Sequence, residues 1–253
     1  MSIPLHYTAQ GAGPYLVLLH GYMSSHEYWQ DVAVAVEGSW TVLSIDLLGF
    51  GSSPKPSDAL YTLDEHVAAV ADMITELTGN EPVRLAGHSM GALIAAAYAG
   101  DRPEKISRLV LCNPPVFTSV QQAQDSLQDK MIYKLFFYSA AGRFLWPVAR
   151  FVLASYTALL SRRAHLFART FLKNTYHSRK SSLANVIEST NILELVQKLQ
   201  MPTRLIMGET DRPVYRRNLL KTSLPENVQI TWVATGHHSP IHAPQEVVAA
   251  LVN

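Results

Sequence analysis

The sequence predicts an α/β fold: a mostly parallel sheet flanked by helices, with a helical insertion in its later half. Three observations carry that prediction. Short runs of Val, Leu and Ile recur along the chain, helical stretches separate them, and one long segment lacks such runs. Runs that are apolar throughout mark strands buried on both faces, as parallel strands covered by helices are.

The first run, YLVLLH (15–20), ends in a His-Gly pair, and the second is TVLSID (41–46). TLDEHVAAVADMITELTG follows with helical spacing. Thr62 is placed as its N-cap, Glu65 three residues on completes a capping box, and Gly79 closes it. VRLAGH (83–88) is the next strand, followed by SMGALIAAAYAGDRP, an alanine-rich helix able to pack close to a sheet. SRLVLC (107–112) comes next. From about Phe117 to Leu195 strand-like runs are replaced by helical patterns rich in aromatics and arginine, and strands resume with TRLIMG (203–208) and VQITWVA (228–234). The expected organisation is a core of residues 1–116 and 196–253, with 117–195 inserted as a helical cap. Such an insertion would lie over the crevice at the C-terminal edge of the sheet.

A length of 253 residues allows one large core, and a net charge of +1 suggests neither nucleic acid nor membrane as a partner. Cys112 is the sole cysteine, so neither an intrachain disulfide nor a zinc cluster is expected, and its place at the end of an apolar run reads as a buried strand residue. The N-terminus lacks a basic region followed by a long apolar one. The longest apolar stretch, FLWPVARFVLASYTALL, is broken by Pro147 and Arg150. A soluble, cytoplasmic protein is therefore expected.

Gly87-His88-Ser89-Met90-Gly91 stands between a strand and a helix. In that setting G-x-S-x-G forms a sharp turn that lifts the serine hydroxyl above the sheet. A serine needs a base to become a nucleophile. His237 follows a glycine directly after the last strand, where its loop can reach back over the strand ends. His238 and His242 lie beside it, and with no carboxylate among the three a metal site is not expected. The loop GETD offers Glu209 and Asp211 as the acid that orients the base. Asp211 lies further into the loop, although alone it would read as a turn residue before Arg212-Pro213. Together the three give the order Ser, Asp, His. Gly21 allows a tight turn after the first strand, so the backbone N–H groups of Tyr22 and Met90 are the candidate oxyanion donors. DLLGFGSS (46–53) lacks the pattern of a phosphate loop.

HGYMSSHEYW, DLLGFGSS, GHSMG, GETD and GHHSPIHAP, in this order across nearly the whole chain outside the cap, resemble the motifs of the α/β-hydrolase fold superfamily. The likeness is to its capped serine hydrolases, esterase- and lipase-like, and also to meta-cleavage product hydrolases. It implies Ser89 as nucleophile, Asp211 as acid, His237 as base, and Tyr22 and Met90 at the oxyanion hole. It implies no metal or organic cofactor. A serine at the nucleophile sets the chain apart from the dehalogenase and epoxide-hydrolase branches, which use aspartate there. His242, where many relatives have glutamate, is a departure expected to affect support of the loop and not the chemistry.

Residues 130–187 contain ten Lys and Arg and no Asp or Glu, leaving 11 basic and 20 acidic residues elsewhere. Phe136, Phe137, Phe144 and Trp146 in this stretch are candidate substrate contacts. Three readings are open: a solvated face paired with the acidic core, a basic surface that touches anionic membranes peripherally, or an arginine that holds a substrate carboxylate or phosphate. The leading expectation is an esterase acting on a small-molecule ester with an apolar acyl or alcohol part. Alternatives are a carbon–carbon bond hydrolase of an acidic diketone-like substrate and a non-catalytic ligand-binding protein.

Overall fold

The structure, a computed structural model, describes residues 3–79, 81–128, 144–146, 148, 151 and 173–253. Its sheet comprises β1 (Tyr7–Gln10), β2 (Tyr15–Leu19), β3 (Thr41–Ile45), β4 (Val83–His88), β5 (Ile106–Cys112), β6 (Thr203–Gly208) and β7 (Val228–Val233). They lie in the order β1-β3-β2-β4-β5-β6-β7, with every pairing parallel except β1 with β3. Six of these are the runs marked in the sequence. The seventh, β1, is an addition: YTAQ is short, half exposed and without an apolar run, and it pairs Tyr7 opposite Ile45 at the edge of the sheet.

Alternation along buried strands sorts the core into two layers. Leu16 and Leu18 of β2 pack with Trp29 and with Val32 and Val36 of α1 (Gln30–Val36), and with Val247 and Leu251 of α9 (Pro244–Val252). Val17 and Leu19 point the other way, into a cluster with Val70 and Ile74 of α2 (Leu63–Thr78) and Ile94 of α3 (Met90–Asp101). The capping box at Thr62 and Glu65 forms as the sequence suggests, and Gly79 stands at the helix end with φ of 63°. Helix α3 is buried almost throughout, which its alanines permit.

Between β5 and β6 the elements among the described residues are helices: α4 (Val120–Gln128), α5 (Tyr176–Ser182), a π-helical stretch at Leu183–Glu188, and α6 (Ile192–Val196). Phe136 and Phe137 lie outside the described residues. Phe144 is 79% exposed, whereas Trp146 is buried, with its ring 3.8 Å from the Arg179 guanidinium. Neither lines the cleft described below, which corrects the expectation for both. Trp146 instead serves as a flat platform for the buried Arg179 guanidinium. Arg179 accordingly is not part of an exposed basic face. Among the described residues no helix is long and apolar enough to cross a membrane. The remaining helices, α7 (Pro213–Leu220) and α8 (Ser239–His242), follow β6 and β7.

Parallel strands end on the same side of a sheet. The residues just beyond β2, β4, β5, β6 and β7 include Gly21, Ser89, Asn113, Asp211 and His237, so five loops converge on one edge.

Candidate active site

Ser89 joins β4 to α3 with φ of 53° and ψ of −116°, in the left-handed half of backbone space that side chains other than glycine rarely occupy. Its neighbours make the turn possible. A Cβ at Gly87 would collide with the Gly91 carbonyl, and one at Gly91 would collide with the carbonyls of Leu19 and His20. Helix α3 can therefore start directly against β2. The Ser89 N–H donates to the Cys112 carbonyl at 2.9 Å, which ties the turn to β5.

The Ser89 hydroxyl lies 3.0 Å from His237 Nε2, and His237 Nδ1 lies 2.9 Å from Asp211 Oδ2. With Nδ1–H donating to the carboxylate, Nε2 is left to accept the serine proton. Asp211 Oδ2 also accepts from Asn113 Nδ2 at 2.9 Å, and Oδ1 accepts from the Arg212 N–H at 2.7 Å. Burial alone would raise this carboxyl. The His237 bond and charge, together with those N–H donors, outweigh burial and hold it below the usual carboxylate range.

Asn113, which no sequence motif singles out within CNPP, fastens the loops together. Its Nδ2 also donates to the Gly236 carbonyl at 3.2 Å, and its Oδ1 accepts from the Ser239 hydroxyl at 2.5 Å. Behind His237 lies a second network. His88 Nε2–H donates to the His237 carbonyl at 2.7 Å, Tyr28 stacks on the His88 ring at a centroid distance of 4.5 Å, and the Tyr28 hydroxyl lies 3.1 Å from His238 Nδ1. These contacts join residues 60 to 210 positions apart, so no local pattern announces them. His20 pins two turns: its Nδ1–H donates to the Gly21 carbonyl at 2.7 Å, and its Nε2 accepts from the Leu47 N–H at 3.0 Å.

Met90 opens α3, so its N–H belongs to the first turn, whose donors have no intrahelical acceptor. A Cβ at Gly21 would stand 3.2 Å from Ser89 Cβ, which places the turn leading to Tyr22 directly against the serine. The cleft above has a volume of about 600 Å³. Tyr22, Ser89, Asp211 and His237 line it, beside the apolar Pro115, Leu127, Leu183 and Ile187. Leu183 and Ile187 both come from the π-helical stretch. Among the described residues one cluster, His6, His26 and Asp46, has metal-ligating composition, with its ligand atoms within 4.8 Å of one another. None of the three lines the cleft.

Buried histidines make stability depend on pH: burial lowers His20 and His88 as well as His66 and His238. Burial, aided by His20, lowers His66 from 6.5 to about 3, and burial, aided by His237 and His242, lowers His238 to about 4. Both stay neutral in the folded protein, while the unfolded chain takes up protons below about 6.5. Their contribution is complete above pH 6.5 and is lost as pH falls toward 4 and then 3. Calorimetric Tm is expected to fall steadily between pH 7 and 4.5, and to fall less steeply in His66→Gln. A Tm flat across that range would refute the assignment.

A family model described as "alpha/beta hydrolase fold" matches residues 14–237. The chain is similar to "Probable lysophospholipase BODYGUARD 4" of Arabidopsis thaliana, 27% identical over 237 residues, 84% of this chain and 56% of that one. It thus spans about half the length of that plant relative. It is also similar to "Pimeloyl-[acyl-carrier protein] methyl ester esterase" of Pseudoalteromonas atlantica, 26% identical over 250 residues, 95% of this chain and 93% of that one. Among solved structures, an epoxide hydrolase from Bacillus megaterium in complex with an inhibitor superposes with a TM-score of 0.70 at 21% identity. That likeness, over 96% of this chain and 93% of the other, is one of fold.

Proposed function

The chain belongs to the alpha/beta hydrolase fold family, and from that premise we propose that it is a serine hydrolase of carboxylic esters with an apolar acyl or alcohol part. The observation that carries this reading is the hydrogen-bonded chain from Ser89 through His237 to Asp211, opening on a cleft that sets Pro115, Leu127, Leu183 and Ile187 beside the polar site residues. Two relatives whose names denote ester cleavage, a methyl ester esterase and a probable lysophospholipase, support it. The likeness to an epoxide hydrolase does not direct the chemistry, because that branch places aspartate where this chain has Ser89.

In this mechanism the Ser89 hydroxyl proton passes to His237 Nε2 as Oγ bonds to the substrate carbonyl carbon. The carbonyl oxygen takes the displaced electron pair and is held by the N–H groups of Tyr22 and Met90. Asp211 stabilises the imidazolium without taking its proton. His237 then protonates the departing alcohol as the carbon–oxygen bond breaks. Water attacks the acyl-enzyme by the same route, giving its proton to His237, and Ser89 leaves with that proton. The aliphatic residues of the cleft favour acyl chains over bare acetyl groups.

The test combines p-nitrophenyl esters of graded acyl length with a serine-directed phosphonate. Turnover that peaks beyond acetate, with a single adduct on Ser89, is the expected result. A protein inert toward every ester and unlabelled at Ser89 would end the proposal. Running the series with anionic vesicles reads membrane contact through the cap as an increase in rate.

A further inference from the structure

The geometry points to a substrate with a negative group: we infer that Arg212 binds a carboxylate or phosphate carried by the ester some distance from the scissile bond. This rests on the reading of Ser89 as an ester-cleaving nucleophile and narrows its substrate class.

Arg212 directly follows Asp211 and lines the cleft, half-buried. Its main chain and side chain have different tasks. The backbone N–H binds Asp211 Oδ1. The guanidinium instead crosses to α4, where Nη1 donates to the Ser126 carbonyl at 2.8 Å and to the Ser126 hydroxyl at 3.3 Å. Both acceptors are neutral. Among the described residues no carboxylate comes within 4.0 Å of this guanidinium: Asp211, the nearest in sequence, pairs with His237. Nε and Nη2 have no acceptor among the described residues.

Arg212 is the only Lys or Arg among the described residues that line the cleft, and Asp211 the only carboxylate. A guanidinium presents a planar fork of donors that suits carboxylate and phosphate oxygens. The tie to Ser126 fixes its position beforehand, so a bound anion need not order a free side chain. A neutral ester of equal length would leave the same cation partly desolvated and unpaired, which disfavours it. The charge thus acts by discrimination as well as attraction.

The experiment compares p-nitrophenyl glutarate, whose acyl chain ends in a carboxylate, its phosphonate-ended analogue, and neutral p-nitrophenyl valerate. Each is assayed on wild type, Arg212→Met and Arg212→Lys. Wild type is expected to prefer an anionic ester. Arg212→Met should lower kcat/KM for that ester by about 10- to 100-fold, mainly through KM, while valerate changes by less than about threefold. Arg212→Lys should restore part of the loss. The anion with the larger dependence on Arg212 identifies the natural group. Parallel losses on all three esters would overturn the inference and leave Arg212 as a tie to Ser126. So would a wild type without preference for charge. If wild type cleaves none of the esters, the esterase reading fails and titration calorimetry with monomethyl glutarate decides. Binding weakened about tenfold or more in Arg212→Met keeps the anion site, and equal or undetectable binding removes it.

Discussion

Ser89→Ala is expected to lower kcat/KM toward p-nitrophenyl esters by about four to six powers of ten, with Tm nearly unchanged. The side chain removed is a single oxygen, and the N–H that ties the turn to the Cys112 carbonyl remains. Backbone donors for the oxyanion remain too, so residual activity should stay above that of water alone. Steady-state kinetics alongside calorimetry separates loss of chemistry from loss of fold. A loss below about tenfold would mean that another group carries the attack.

Asp211→Asn is expected to cost about four powers of ten in kcat, for a different reason. Oδ2 accepts from both His237 and Asn113, and Oδ1 accepts from the Arg212 N–H. An asparagine has one acceptor oxygen for these three donors, so its amide nitrogen must face one of them. If it faces His237, the imidazole is held in the other tautomer, with Nε2–H directed at Ser89 and no base available. The double variant with Ser89→Ala should be no worse than Ser89→Ala alone, because the acid acts only through the serine. Retention of more than about a tenth of kcat would point to Glu209, the other carboxylate of that loop. Its side chain is exposed and its N–H is held by the Val233 carbonyl at 2.9 Å.

The parallel strands are legible in the sequence because burial on both faces leaves a run such as YLVLL with no polar position. The edge strand is not legible, because YTAQ pairs with one neighbour, β3, and keeps a half-wet surface that needs no apolar run. Ser89, Asp211 and His237 can be singled out because each lies just past a strand end, and parallel strands bring such positions together. Asn113 occupies the same kind of position after β5, and that position is the one sequence signal that marks it. Tyr28, His88 and His238 meet only through the fold, and the fold alone makes them a unit. Trp146 departs from its expected place for a physical reason: aromatic composition in a cap suits a substrate wall and a platform for a buried arginine equally well. Arg212 enters the sequence reading only as the residue after a possible turn at Asp211, since nothing local reveals that its side chain reaches Ser126.

A φ of 53° suits glycine, and a serine held there, as Ser89 is, costs on the order of 1 kcal/mol. Selection for thermal robustness alone would therefore drift toward Ser89→Gly, giving a sturdier protein without a nucleophile. A standing strain of this kind, at a side chain 3.0 Å from His237 Nε2, marks a position where stability and side-chain identity pull in opposite directions.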